Sequence, residues 1–214
     1  MDNAGPWPVA SGFYMLAHDD LTGRPRLHRR AVGLGLAAGL LAELLYLNRI
    51  MIGQGEVRVV DRTPPADVLA HLVLAQLIAE PQHVRVRTWL DYLAVEAGDQ
   101  VAGRLVLTGY LRKEVSRRMF RSATVYVPVD MNRFALALAR LSTMLRRLEP
   151  MGYVDTCLAG LSVATGLDTL VLDGASRETW RHLRSVADRI WPPLHELLAH
   201  TAAAVGGSVL SHRT

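Results

Sequence analysis

The chain has 214 residues, half of them hydrophobic but only 6% aromatic, and a formal net charge of +4. That length suits one domain with a full core, and a core carried by Leu, Ala and Val favours helices over a β-sandwich. The lone cysteine, Cys157, rules out an internal disulfide and fits a reducing compartment.

Residues 1–12, MDNAGPWPVASG, read as a flexible tail. They lack the basic segment and apolar run of a secretory signal. FYMLAHD (13–19) is a short apolar element, and the DDLTGRP that follows carries the Asp, Gly and Pro of a turn. A helix is expected from about Ala31 to Leu47, with Gly33, Gly35 and Gly39 permitting close approach by another helix. It is short for a membrane span and carries Glu43, so it reads as a buried core helix. In NRIMIGQGEVRVVDRTPP (48–65), β-branched runs flank a Gln-Gly pair and predict a small hairpin with Val57 and Val59 facing inward. Pro64 and Pro65 introduce a helix to about Ala79, and further helices follow over 84–97 and 98–109, the last closed by Gly109. YLRKEV and SATVYVPV alternate as a second hairpin, which turns at 116–121. Asp130 or Asn132 caps a helix over 132–147 with Phe134, Leu138, Leu141 and Leu145 on one stripe. Helices over 151–172, 176–189 and 191–204 complete the chain, and residues 208–214 are expected to fray.

No catalytic constellation emerges. GLGLAAG lies inside an apolar helix without the Lys-Ser/Thr ending of a phosphate loop, and GLSVATG is not a nucleophile elbow. His195 and His200 are five apart, which is not metal-ligand spacing on one helical face, so neither a metal nor another cofactor is expected. Asp19 and Asp20 adjoin in a turn and read as a solvated Asx turn.

Two basic clusters remain. RPRLHRR (24–30) places Arg24, Arg26, His28, Arg29 and Arg30 just before the core helix, where free backbone N–H groups favour anions. LRKEVSRRMFR (111–121) puts Arg117, Arg118 and Arg121 around Met119 and Phe120 on the second hairpin. Exposed adjacent apolar side chains at a hairpin tip have no folding rationale in an isolated monomer. Arginine is the cation of choice for phosphate, although a GC-rich genome produces the same bias; Lys113 is the only lysine. Three helices followed by a two-stranded wing would also suit a winged-helix DNA binder. The helix that should enter the groove offers only Arg104, so nucleic acid is not the expected partner.

Six stretches in order carry a family resemblance: LAHDDLTGR (16–24), GLAAGLLAELLYLNRI (35–50), VVDRTPPADVLAHLVLAQL (59–77), VRTWLDYLA (86–94), GRLVLTGYLRKE (103–114) and VYVPVD (125–130). Together they resemble the Golgi phosphoprotein 3 family in its bacterial branch. The resemblance implies a mainly α domain with a helical core and a projecting hairpin, here about 111–129, that is membrane-proximal and oligomer-forming. It implies peripheral membrane proteins that bind phosphatidylinositol 4-phosphate and, in eukaryotes, retain glycosyltransferases by their cytosolic tails. The family's headgroup pocket uses a tryptophan and arginines; at the matching positions this chain has residues near His28, Ala37, Gly98 and Gln100. Arg24, Arg26, His28, Arg29, Arg30 and Arg104 are the candidates for a different anion site.

The expectation is therefore one domain over 13–207, cytoplasmic or on the inner face of the cell membrane. It would act as a non-enzymatic adaptor binding anionic phospholipid or partner proteins and self-associating through the hairpin. A winged-helix regulator and a protein–protein scaffold without lipid binding are the alternatives.

Overall fold

A computed structural model describes residues 7–118 and 121–210. Its centre is helix α2 (Arg29–Tyr46), whose residues from Ala31 to Leu45 are all buried. A helix that is apolar all round has no solvent face to offer and must be wrapped. The other helices do this. Helix α1 (Val9–Ala17) packs along α2 with every residue buried. The expectation of a tail over 1–12 fails at residues 9–12, which belong to α1, and Trp7 ahead of them is buried. The stretch PVASG looks like linker in isolation, but its Ala10 is what lets α1 approach α2 closely at Gly39. An added Cβ on Gly39 would sit 2.9 Å from the Ala10 Cα.

Asn48, at φ +53°, terminates α2 in the left-handed conformation that asparagine tolerates, with its N–H donating to the Leu45 carbonyl. Strands β1 (Ile50–Gly53) and β2 (Glu56–Val59) then pair antiparallel. Gln54 and Gly55, at φ +57° and +75°, form the two-residue turn that matches strand twist. Ile50, Ile52 and Val57 are buried and Val59 packs against the core, as the alternation predicts.

Asp67 caps α3 (Val68–Ala79) by accepting from the Ala70 N–H at 2.8 Å. Helices α4 (Val86–Leu93) and α5 (Ala97–Leu107) follow, and Gly109 at φ +73° ends the latter. Strands β3 (Leu111–Arg118) and β4 (Arg121–Pro128) form the second hairpin, in register from Leu111↔Pro128 to Arg118↔Arg121. Leu111 and Pro128 are buried at its base, whereas Arg112 to Val115 are exposed, so the hairpin projects. Met119 and Phe120 lie outside the described residues.

Asp130 caps α6 (Met131–Arg146), which buries Phe134, Leu141 and Leu145. The expected 151–172 helix is two helices, α7 (Tyr153–Thr165) and α8 (Asp168–Val171), because Gly166 turns left-handed at φ +81°. Helix α9 (Arg177–Asp188) follows, and α10 (Pro192–Leu210), which packs on α2 and α7, extends beyond the expected end at 204. This is a mainly α fold with two small antiparallel hairpins.

Candidate functional site

The turn after α1 sets the geometry. Asp19 accepts from the Thr22 N–H and hydroxyl at 2.8 Å each, and its own N–H donates to the Arg24 carbonyl at 2.8 Å. Gly23, at φ +67°, closes the turn against β4. A Cβ there would lie 2.1 Å from the Tyr126 carbonyl oxygen, so only glycine allows the approach. The result is a cleft of about 310 Å³ between this turn, the first turns of α2 and α5, and β4. Arg24 and Arg29 line it together with Asp99 and Tyr126, and Tyr14 and His18 line it from α1 and its cap.

The six residues expected to form one anion site divide into distinct groups. Arg26 is committed to its own turn, donating to Asp20 at 3.0 Å and to the His18 carbonyl at 3.0 Å, with Asp19 at 3.7 Å. Arg30 pairs with Asp91 at 2.9 Å. The His28 ring caps α2 by accepting from the Arg30 N–H. Arg104 is not a surface cation at all. It is buried, donating to Glu43 at 2.9 and 3.0 Å, to Asp67 at 3.2 Å and to Ser11 at 3.0 Å. Burial opposes the Arg104 charge, but the two carboxylates outweigh it and hold the guanidinium above its ordinary value. This pairing also removes from α5 the single cation that a winged-helix reading needs.

Arg24 and Arg29 are left. Among the described residues no carboxylate pairs with either, so both guanidiniums are free to meet a ligand in the cleft. Arg29 is the first residue of α2, where the helix dipole adds to its charge. Arg117, Arg118 and Arg121 lie on β3 and β4, with Arg118 opposite Arg121 and Arg117 opposite Ser122. They are on the hairpin whose β4 strand walls the cleft at Thr124–Tyr126.

Four lining residues escaped the sequence reading. The His18 ring stacks on Tyr14 with centroids 3.8 Å apart, and its Nδ1 donates to the Tyr14 carbonyl at 2.8 Å. Burial pushes the imidazole down to about 4, against that hydrogen bond and with a smaller contribution from Arg26, so it is neutral at pH 7. Burial raises the phenols of Tyr14 and Tyr126, and the Asp99 carboxylate raises both further. The i, i+4 spacing of Tyr14 and His18 was a legible signal for the stack. Nothing local links Asp99 to Tyr126.

A second cavity of about 310 Å³ is lined by Trp7, Val9, Tyr46, Tyr153 and Glu43. Its polar groups are engaged within the fold: Trp7 Nε1 donates to the Tyr110 hydroxyl and Tyr153 to the Ala42 carbonyl, both at 2.8 Å. The first cleft is therefore the better-equipped site. No group of three His, Cys, Asp or Glu side chains suited to a metal ion occurs among the described residues. No helix among them is long and apolar enough to cross a membrane.

Among curated proteins none matches the chain. The model of the Golgi phosphoprotein 3 (GPP34) family matches residues 9–205, from the first residue of α1 into α10 and through both hairpins. The chain belongs to the Golgi phosphoprotein 3 family.

Proposed function

We propose that the protein is a non-enzymatic adaptor that docks peripherally on an anionic membrane, seating a lipid phosphate between Arg24 and Arg29. The observation that carries this is the pair of guanidiniums that line one cleft and have no described carboxylate partner. Arginine forks match phosphate oxygens in two-point contacts. The hairpin rises from the rim of the same cleft, since Thr124 to Tyr126 of β4 form one of its walls. Docking through the cleft brings the hairpin to the membrane as well, and the hairpin supplies the surface for self-association or for partner proteins. Cations near an anionic surface are worth about 1 kcal/mol each, so attachment is weak and salt-dependent until oligomerisation multiplies it.

Vesicle co-sedimentation tests the proposal. The protein should pellet at low salt with phosphatidylcholine vesicles containing phosphatidylglycerol and stay in solution with phosphatidylcholine alone. Reversing both charges, Arg24→Glu with Arg29→Glu, should weaken pelleting by at least about tenfold, given two lost cations. A wild-type protein that remains in the supernatant under all these conditions is not a membrane adaptor of this kind.

A further inference from the structure

The cleft is bipolar. Arg24 and Arg29 enter it from the α1–α2 turn and the first residue of α2, and Asp99 enters from the first turn of α5. Among the described residues no ion pair joins Asp99 to either arginine, so opposite charges face one space without neutralising each other. Tyr14 and Tyr126 line the same cleft as Asp99, and both phenols are raised first by burial and then by its negative charge. His18, being neutral, adds no cation to offset it.

A ligand carrying only negative charge uses just the arginine end of this arrangement. A headgroup with a second phosphate would bring it against Asp99, where like charge is unfavourable. A dipolar ligand suits it: its phosphate meets the arginines, and an ammonium a few bonds away meets Asp99. We infer that the cleft selects a phosphate ester bearing an amine, of the phosphoethanolamine class, with Asp99 as the ammonium ligand and Arg24 and Arg29 as the phosphate ligands. This rests on the reading of the cleft as a phosphate site. The amine ester could come from a lipid headgroup or from a free phosphoamine, and the chemistry is shared.

Calorimetric titration of the full chain with phosphoethanolamine, glycerol phosphate and inositol phosphate addresses the chemistry directly. Phosphoethanolamine is expected to bind about tenfold more tightly than glycerol phosphate, the size of one charge-assisted contact at a partly exposed site. Asp99→Asn should abolish that preference while leaving glycerol phosphate binding unchanged or tighter, and Arg29→Glu should weaken both. Asp99 is exposed, and an unchanged unfolding midpoint would show that the variant is folded. Glycerol phosphate or inositol phosphate binding as tightly as phosphoethanolamine, no binding of any of them, or an amine preference that survives Asp99→Asn would overturn the inference. Vesicles doped with phosphatidylethanolamine or phosphatidylglycerol separate the two sources. Pelleting on phosphatidylglycerol with no amine preference in titration sinks this inference and leaves the membrane adaptor standing. An amine preference for the soluble ester without any pelleting sinks the adaptor and leaves a site for a free phosphoamine.

Discussion

His18 shows how one buried side chain couples the cleft to stability. The residue is 7% exposed and its pKa falls to about 4, whereas an unfolded histidine titrates near 6.5. The unfolded chain therefore takes up a proton in a window where the folded chain does not. Stability is full above about pH 6.5 and falls as pH drops toward about 4, by roughly 3 kcal/mol. Urea unfolding at about pH 7 and about pH 4.5 should show this loss in the wild type and a much flatter dependence in His18→Gln. Equal losses in both proteins would remove His18 as the cause. Other residues were harder to read because their partners are distant. Arg30 meets Asp91 and Arg104 meets Glu43, each across 61 positions of sequence. A run of arginines shows charge but not which charges are already spent inside the fold, and the sequence reading therefore overcounted the cleft's cations. The two that remain, Arg24 and Arg29, line the cleft and have no carboxylate partner among the described residues.

Among the elements, α2 was the most legible, since an unbroken apolar run with glycines predicts a wrapped helix. The neighbours those glycines serve were not legible. Gly35 sits against the Phe13 ring of α1, whereas Gly33 faces the end of α4, where an added Cβ would lie 2.5 Å from the Ala94 carbonyl oxygen. Gly33→Ala must push two backbones apart, a cost of about 1–3 kcal/mol that exceeds the roughly 1 kcal/mol of helix propensity gained. Gly103 of α5 has nothing within 4 Å of its added Cβ, so Gly103→Ala should stabilise by up to about 1 kcal/mol. Opposite signs in thermal unfolding are the expected result, and shifts of the same sign would refute the packing account. The boundary missed between α7 and α8 has a related origin. The apolar pattern continues across Gly166, and only its left-handed backbone ends the helix.

At the scale of the whole molecule, the order of six sequence stretches identified the family, and the layout of helical core and hairpins follows from it. The sequence also singled out the second hairpin as a contact element, on Met119 and Phe120. The described part of that hairpin supports a division of labour between it and the core. Its base is anchored by Leu111 at 2% exposure, while Val115 is 64% exposed halfway up β3. Arg112 to Val115 and Thr124 are exposed, and a stretch that removes so little apolar area from water contributes little to folding. Replacing residues 117–122 with Asn-Gly would join Ser116 to Ala123, which fall on a hydrogen-bonded pair of the register, through a turn suited to a two-residue hairpin. The cleft wall at Thr124–Tyr126 is retained. The shortened protein should unfold within about 0.5 kcal/mol of the wild type, the range of a surface change. It should also bind phosphate esters as before, yet pellet less with anionic vesicles and elute as a smaller species. Loss of phosphate ester binding would tie the hairpin tip to the cleft. Unchanged pelleting and unchanged elution together would leave the hairpin without the contact role that its arginines and its Met-Phe pair suggest.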